Sequence, residues 1–322
     1  MSSRPTIAVA IPTMNRKGML REAIRSAFDQ TRPPDEVFIS DNSPSPDSTL
    51  LEEFAGYPLR YHCHDRKLHI EEHWKWCLSQ PRTDYVAWLE DDNLYRRDHL
   101  EKLESGLAIQ PDAPLVGSAA VVFTERVSSW ERQIFAPIWR VDHLTRQPVQ
   151  IAPAQALATY LFTSPFASSA LMIRRELLDR PSAFVDCGCW MPLDRWLWAQ
   201  FVAIGGAVYV PEPTLLYRIH GANHTKTIKR ETHRAENFKV TGMILERLSA
   251  MTDADAAVRD LAATLDEGAR NLCGRELVRS RHKPWIDRFL PILLDKPSLK
   301  GCLPWLAKLW ARDKALPRLG LS

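Results

Sequence analysis

The sequence lacks long apolar runs and paired cysteine patterns. No stretch approaches the ~20 apolar residues that a helix needs to cross a bilayer, and no signal-peptide pattern precedes the apolar segment that starts at residue 7. The six cysteines are scattered apart from Cys187 and Cys189, which fits neither a zinc site nor a disulfide framework. We therefore expect a globular protein of the reducing cytoplasm and not an integral membrane protein.

Glycine is scarce where a phosphate-binding loop would need it. A sugar-phosphate nucleotidylyltransferase would carry a glycine-rich loop after its first strand, whereas residues 12–18 contain one glycine, Gly18. No pattern of a nucleic-acid-binding module accompanies the basic residues. These absences count against a nucleotidylyltransferase and against nucleic acid as a partner.

The net charge of +3 is concentrated near the end of the chain. Residues 283–322 hold eight Lys or Arg against three Asp, a local charge of +5, so the other residues together carry −2. The same segment contains Trp285, Trp305 and Trp310, and basic helices with aromatic faces are typical of membrane surfaces. Three roles stay open for residues 227–322: a helical cap on the core, a homodimer contact, or peripheral contact with the inner face of the membrane.

The chain alternates strand and helix patterns over its first part. Short apolar runs predict strands over residues 7–11, 36–40, 59–64, 85–90 and 115–123. Apolar residues at helical spacing predict helices over residues 19–28, 70–78, 231–248 and 254–277. The alternation is typical of an α/β fold with a mainly parallel sheet and helices on both faces, and 322 residues suit one such domain with additions.

Polar residues follow three of the predicted strands at the point where each ends. The fourth strand stops at three consecutive acids, Glu90, Asp91 and Asp92, and residues 12–15 and 41–43 follow the first and second. Ligands of open parallel sheets bind beyond the carboxyl ends of the strands, and a hard divalent cation offsets the repulsion between crowded carboxylates. An isolated acidic triplet is more often a solvated loop or a helix cap. The two neighbouring strand ends favour a ligand site here.

Three segments resemble the family 2 glycosyltransferases, which have the nucleotide-sugar-binding GT-A fold. Residues 7–43, IAVAIPTMNRKGMLREAIRSAFDQTRPPDEVFISDNS, resemble the first two strand–helix units of that family, and EDDNLYRRDHL is similar to its acidic signature and following helix. DRWLW, and the stretch that ends in YRIHGANHTK, are similar to its late catalytic segment. The resemblance covers residues 5–226 and implies a GT-A domain over residues 1–226, with a nucleotide-binding half (1–123) and an acceptor half (124–226).

The resemblance also implies a reaction and its residues. A sugar would pass from a nucleotide diphosphate to an acceptor hydroxyl with inversion, in cell-surface polysaccharide biosynthesis. Asp194 would act as the base, and Asp92 and His220 would hold Mn²⁺ or Mg²⁺ against the departing diphosphate. Asp41 would bind the base of the nucleotide and favour a UDP- or dTDP-sugar. Contacts to the donor are expected from Pro12, Thr13, Asn15, Arg16, Asp41, Arg66, Asp91 and Arg218, with Lys67 as a further candidate.

Plain structural roles are available to several of these residues. Asp41 fits an Asx turn, which is compatible with a ligand role, and Asp194 suits the N-terminal end of a helix. Arg218 fits an ion pair as well as a diphosphate contact. The role of Glu90 is left open, because the family usually has a small or apolar residue there.

Other functions use fewer of these motifs. A glycoside hydrolase needs two carboxylates, but Asp41 and the Asp91–Asp92 pair would then have no purpose. A catalytically silent sugar-nucleotide-binding scaffold fits if Asp194 is not a base. The acceptor, whether a carbohydrate, a lipid-linked or a protein-linked molecule, is undetermined, although Trp130 and Trp139 in the predicted acceptor half are candidates for stacking on a sugar.

Overall fold

A ten-stranded mixed sheet forms the centre of the part of the chain that the computed structural model describes, which is residues 4–124, 134–135, 147–160, 164–180, 184–190, 192–221 and 230–251. Its strands are β1 (Ile7–Thr13), β2 (Glu36–Asp41), β3 (Leu59–Cys63), β4 (Tyr85–Trp88), β5 (Leu94–Tyr95), β6 (Leu115–Thr124), β7 (Ile134–Phe135), β8 (Val149–Ile151), β9 (Leu171–Arg174) and β10 (Ala207–Ile219). The helices are α1 (Lys17–Phe28), α2 (Leu50–Glu53), α3 (Ile70–Ser79), α4 (His99–Gly106), α5 (Pro153–Thr159), α6 (Leu193–Gly205) and α7 (Arg230–Ser249), with a 3-10 turn over Arg175–Asp179.

The strand order is β3-β2-β1-β4-β9-β6-β10-β5, with β7 on β6 and β8 on β10. The longest ladders, among β3, β2, β1 and β4 and between β6 and β10, are parallel. This confirms the predicted α/β class, and the five predicted strands end within two residues of their observed ends. The sequence patterns did not reveal β9, which enters antiparallel between β4 and β6 through three residue pairs on each side.

Two hydrophobic cores lie on opposite faces of the sheet. Ile7, Val9 and Ile11 of β1 belong to one core, with the buried faces of α1 and α4, whereas Ala10 belongs to the other, with α3, α5 and α6. Because side chains alternate with a period of two, a slip of one residue would exchange the two faces, so the packing fixes the register.

The fixed register brings the polar strand ends together. Thr13 pairs with Asp41 across β1 and β2, and the Leu89 amide donates to the Ala10 carbonyl at 3.0 Å just beyond the β1–β4 ladder. The acids that follow Leu89 therefore emerge beside the end of β1. They do not cap the next helix, because α4 begins only at His99.

The first helix predicted for the C-terminal region is confirmed as α7, and it packs on the core. Val240, Ile244 and Leu248 of α7 are fully buried with side chains of α5 and α6. No helix of the described segments combines the length and the apolar character that crossing a bilayer requires. The domain boundary at residue 226 stays a prediction. Outside the described residues lie the helix predicted at 254–277, the basic segment 283–322, Trp130 and Trp139.

Gly206 lets β10 follow α6 without a loop. Its φ of 82° and ψ of −155° fall in a region that residues with a Cβ rarely adopt. A Cβ at this position would lie 2.2 Å from the carbonyl oxygen of Ile151 in β8, the strand that pairs with the start of β10. The glycine therefore sets the start of the strand that ends at Ile219, next to His220.

We expect Gly206→Ala to lower the free energy of unfolding by roughly 2 kcal/mol or more, because it adds backbone strain and a clash with the β8 carbonyl. Urea denaturation measures the change. Gly18→Ala is the matched control, because a Cβ at Gly18 of α1 would have no atom within 4 Å. This substitution should stabilise the helix by about 0.5–1 kcal/mol. Equal stability of the Gly206 variant and the wild type would contradict the structural requirement for glycine.

Candidate active site

A cleft of about 730 Å³ opens at the carboxyl edge of β1 and β4. The ends of those two strands and the starts of α3 and α6 line it. Six of the predicted site residues line it: Pro12, Thr13, Arg16, Asp91, Asp92 and Asp194. The structure thus brings residues from three separate segments of the chain to one cavity.

Arg16 lies between the two aspartates of the acidic segment. Its Nη1 donates to Asp91 Oδ1 and to Asp92 Oδ2, each at 2.9 Å. The Thr13 hydroxyl donates to Asp91 Oδ2 at 2.7 Å. Both carboxylates are buried, so a nearby positive charge stabilises them far more than it would in water. The end of β1 and the start of α1 therefore organise the end of β4.

The cleft concentrates negative charge. Burial raises the pKa of Asp91 to about 6; the charge of Asp92 adds to the rise and Arg16 opposes it. Burial also raises the pKa of Glu90 well above its usual range, and the charges of Asp92 and Asp194 add to the rise. Burial likewise raises the pKa of Asp194 above 3.8. These acids all gain from a cation in the cleft.

His220 contacts Asp92 but is not among the cleft-lining residues. The His220 Nε2 lies 3.0 Å from Asp92 Oδ2, and the imidazole is buried. Among the described residues, no group of three or more Asp, Glu, His or Cys side chains forms a metal site. Mg²⁺ is often held by one or two protein carboxylates, with phosphate oxygens and water completing the shell, and carboxylate oxygens suit Mn²⁺ as well. Asp92 fits a cation of this kind, and the predicted ligand role of His220 stays a prediction.

Arg218 supports the backbone of the acidic segment. Its Nε donates to the Asp92 carbonyl at 2.9 Å, and its Nη2 donates to Glu22 at 2.6 Å. The Arg218 amide donates to Asn93 Oδ1 at 2.9 Å. The side chain is buried and is not among the cleft-lining residues, so its predicted contact with the diphosphate stays a prediction.

Glu90, whose role the sequence left open, lines the cleft. Its Oε2 accepts hydrogen bonds from Asn93 Nδ2 at 2.9 Å and from the Ser169 hydroxyl at 3.2 Å. The Glu90 amide donates to the same hydroxyl at 2.9 Å. Ser169 lies two residues before the start of β9, so this carboxylate links the end of β4 to the strand that the sequence patterns missed.

Asp194 faces the cleft from the first turn of α6. A negative charge is favoured at this end of a helix, so the plain helix-end role and a catalytic role are compatible. The neighbouring Arg195 guanidinium donates to the Tyr160 carbonyl at 2.6 Å. Burial lowers the pKa of Arg195 to about 10, and the charge of Asp194 opposes the change. Arg195 therefore stays a cation beside the carboxylate.

Asp41 forms the predicted Asx turn. Its Oδ1 accepts from the Ser43 amide at 2.8 Å, and its Oδ2 accepts from the Tyr61 hydroxyl at 2.7 Å. Asn15 is an exposed residue with φ of 59°, and its backbone N–H donates to the Ser43 hydroxyl at 2.8 Å. Neither Asp41 nor Asn15 is among the cleft-lining residues, and their contacts with a nucleotide stay predictions.

Further residues outside the main predicted set line the cleft. Lys67, which the sequence offered as a further candidate, lines it, whereas the exposed Arg66 side chain pairs with Glu72. Trp190, Arg195 and Asn237 line it as well. Of these three, only Arg195 carried a sequence signal, as the neighbour of Asp194. Asn237 reaches the site because α7 packs on α6, which no local pattern reveals.

A mixed α/β sheet, an acidic pair at its carboxyl edge and a carboxylate of a later helix in the same cleft are together the arrangement of a GT-A glycosyltransferase. The family model described as glycosyl transferase family 2 matches residues 8–180, more than half of the chain. The chain therefore belongs to glycosyl transferase family 2 and is a transferase, as its motifs predicted.

The curated relatives include a candidate teichuronic acid biosynthesis glycosyltransferase, TuaG, of Bacillus subtilis (strain 168). The two are 27% identical over 107 residues, which are 31% of this chain and 40% of TuaG. The match thus spans less than half of that relative.

Solved structures of S. aureus TarS share the fold. TarS 1-349 has a TM-score of 0.62 at 11% identity, covering 98% of this chain and 92% of that one. The same protein in complex with UDP-GlcNAc has a TM-score of 0.64 at 12% identity, with the same coverage. At this identity the likeness shows the GT-A fold and nothing about the ligand of this chain.

We expect Arg16→Ala to lower the free energy of unfolding by about 1–3 kcal/mol at pH 8, because it leaves two buried carboxylates without their shared cation. The Arg16 side chain is 29% exposed, which keeps the loss below that of a fully buried pair. Arg16 lowers the pKa of Asp91, so in the variant that pKa rises above about 6. The loss should therefore be largest at pH 8 and shrink towards pH 5, where Asp91 takes up a proton.

Urea denaturation at both pH values measures this change. Arg66→Ala is the matched control, because its side chain is 67% exposed and a surface ion pair contributes less than about 1 kcal/mol. A loss for Arg16→Ala that is the same at pH 5 and pH 8 would contradict the role assigned to its charge.

Proposed function

We propose that this protein is an inverting, metal-dependent glycosyltransferase that uses a UDP- or dTDP-sugar as donor. The observation that carries the proposal is that Asp91 and Asp92, at the end of β4, share one cleft with Asp194 of α6. The Asp91–Asp92 pair suits the phosphates of a donor, and Asp194 suits the hydroxyl of an acceptor. Family membership favours sugar transfer over the hydrolase, nucleotidylyltransferase and scaffold alternatives.

The donor assignment rests on general chemistry and on relatives. TarS has been solved with UDP-GlcNAc and with UDP, and this chain has the same fold. Asp41, at the end of β2, is the predicted contact to a uracil or thymine base. The name of TuaG places that relative in teichuronic acid biosynthesis, which agrees with a role in cell-surface polysaccharide biosynthesis. A cytoplasmic location and membrane contact through residues 283–322 belong to the same proposal.

The donor side must accommodate a diphosphate beside two carboxylates. Asp92 and His220 would hold Mn²⁺ or Mg²⁺, which neutralises charge on the diphosphate as it leaves. Arg16, now shared by Asp91 and Asp92, supplies a second positive charge at the same place. Thr13 and Arg16 keep Asp91 ionised and oriented. Arg16 also donates to Asp92 and holds that carboxylate in a fixed position.

The acceptor side supplies the base. Asp194 takes the proton of the acceptor hydroxyl while the acceptor oxygen bonds to the anomeric carbon, and the bond from that carbon to the diphosphate oxygen breaks. A single displacement inverts the anomeric configuration. The proton stays on Asp194 and the nucleoside diphosphate leaves. Because burial raises the pKa of Asp194, the carboxylate is a stronger base than one in water, although Arg195 limits the rise.

Donor binding should depend on a divalent cation and on Asp92. We expect calorimetric titration with UDP, dTDP and GDP to give binding of UDP or dTDP with Mn²⁺ and at least tenfold weaker binding with EDTA. Asp92→Ala should weaken the binding with Mn²⁺ by a similar factor. Asp98→Ala, at a half-buried acid just before α4 that does not line the cleft, is the matched control and should bind as the wild type does. A nucleotide affinity that changes neither with EDTA nor in Asp92→Ala would exclude the proposed metal site.

Asp194→Asn should separate binding from chemistry. We expect transfer to fall by about 10²–10⁴-fold, with UDP affinity within twofold of the wild type. In the wild type, the rate should fall as pH drops through the pKa of Asp194, which lies above 3.8, because only the ionised carboxylate accepts a proton. Transfer assays across pH measure both effects. Asp179→Asn, on an exposed side chain, serves as the control, and unchanged transfer by the Asp194 variant would remove Asp194 as the base.

A further inference from the structure

The rim of the cleft presents an exposed tryptophan. Trp190 lines the cleft and is 41% exposed. Among the other tryptophans that the structure describes, Trp88 and Trp198 are fully buried and Trp196 is 3% exposed. Leaving so large an apolar surface in water is unfavourable. An aromatic ring held in this way at the mouth of a binding cleft therefore points to a ligand that covers it.

The segment that carries Trp190 is held rigidly by a buried carboxylate. Glu71, in the first turn of α3, is 5% exposed. Its Oε1 accepts from the Cys187 amide and its Oε2 from the Gly188 amide, each at 2.8 Å. Gly188 has φ of 61°, a conformation that favours glycine. A charged acceptor bound to two successive amides fixes the backbone two residues before Trp190.

A second set of contacts anchors the same segment to α6. The Val185 amide donates to Gln200 Oε1 at 2.6 Å, and Trp196 Nε1 donates to the Val185 carbonyl at 2.5 Å. The ring of Trp190 meets the His69 ring edge-on, with centroids 4.6 Å apart. Backbone and ring are thus both positioned before any ligand binds, which lowers the entropic cost of binding.

Trp190 is close to the proposed base in the sequence and lines the same cleft. Leu193 and Asp194 follow it within four residues, and both line the cleft as well. A ligand that stacks on Trp190 is therefore held next to the segment that carries Asp194.

We propose that Trp190 is the stacking platform of an acceptor subsite that takes a pyranose ring of a saccharide acceptor. The proposal rests on the proposed function. A pyranose offers a flat face of C–H groups to the ring of a tryptophan, while its hydroxyls stay at the periphery. Stacking on Trp190 would direct one of these hydroxyls towards Asp194. Ile70 and Trp74 add apolar surface to the cleft lining.

Saturation-transfer difference NMR tests this subsite directly. The probes are the methyl pyranosides of glucose, galactose, mannose and N-acetylglucosamine, with D-sorbitol as an acyclic polyol without a ring face. Spectra are recorded with and without UDP and Mg²⁺. We expect at least one pyranoside to give transfer to its ring C–H protons in the wild type, and sorbitol to give none.

Three variants separate stacking from folding. Trp190→Leu keeps an apolar side chain but removes the flat ring, and should reduce the pyranoside signal at least fivefold. Trp190→Phe keeps a ring and should stay within twofold of the wild type. Val185→Ala, on the same segment and 53% exposed, should also stay within twofold. UDP affinity should be unchanged in all three, which establishes that each variant is folded.

The outcomes distinguish the two proposals. Loss of signal in Trp190→Leu with UDP binding intact supports the acceptor subsite. An unchanged signal in Trp190→Leu, or no pyranoside signal in the wild type, overturns it while leaving donor binding as it stands. Failure of the wild type to bind UDP or dTDP overturns the proposed donor, and the spectra without UDP then still decide whether Trp190 binds a saccharide.

Discussion

The site depends on the attraction between one guanidinium and two buried carboxylates. Glu90, Asp91 and Asp92 follow one another at the end of β4, where desolvation and mutual repulsion both disfavour their charged forms. Arg16 offsets that cost for Asp91 and Asp92. It can do so only because β1 and β4 are adjacent, parallel and in fixed register, which brings the start of α1 to the end of β4. The packing that fixes the sheet register therefore also fixes the charge balance of the site.

Around this centre, the chain supports the acids with groups from distant segments. The Arg218 guanidinium donates to the Asp92 carbonyl, and Ser169 donates to Glu90. These hydrogen bonds hold the acidic segment itself in place and do not depend on a ligand. Burial raises the pKa of Glu90 and of Asp91, and each of these carboxylates has a hydroxyl donor, from Ser169 and from Thr13 respectively.

The sequence predicted the site best where function sits directly at a strand end or a helix start. Thr13, Asp91 and Asp92 were identifiable because an apolar run stops beside them, and Asp194 was identifiable through the family resemblance at the start of an apolar helix. The direction of a side chain was not predictable in this way, and Asp41 and Arg218 follow the same patterns yet do not line the cleft. Asn237 and Trp190 reach the cleft through packing between elements far apart in sequence, which leaves no local pattern. β9 was missed because a strand of four residues, of which only three are apolar, carries little signal.

The antiparallel strand β9 has a consequence for how such a protein can change over time. Only three residue pairs on each side join it to β4 and to β6, so it forms a narrow connection between the parallel strands β1 to β4 and the strands that follow. Chain length between β6 and β9 can vary without shifting the register of β1, β2 and β4. Lineages can therefore keep the register that positions Asp91 and Asp92 while the segment between β6 and β9 diverges.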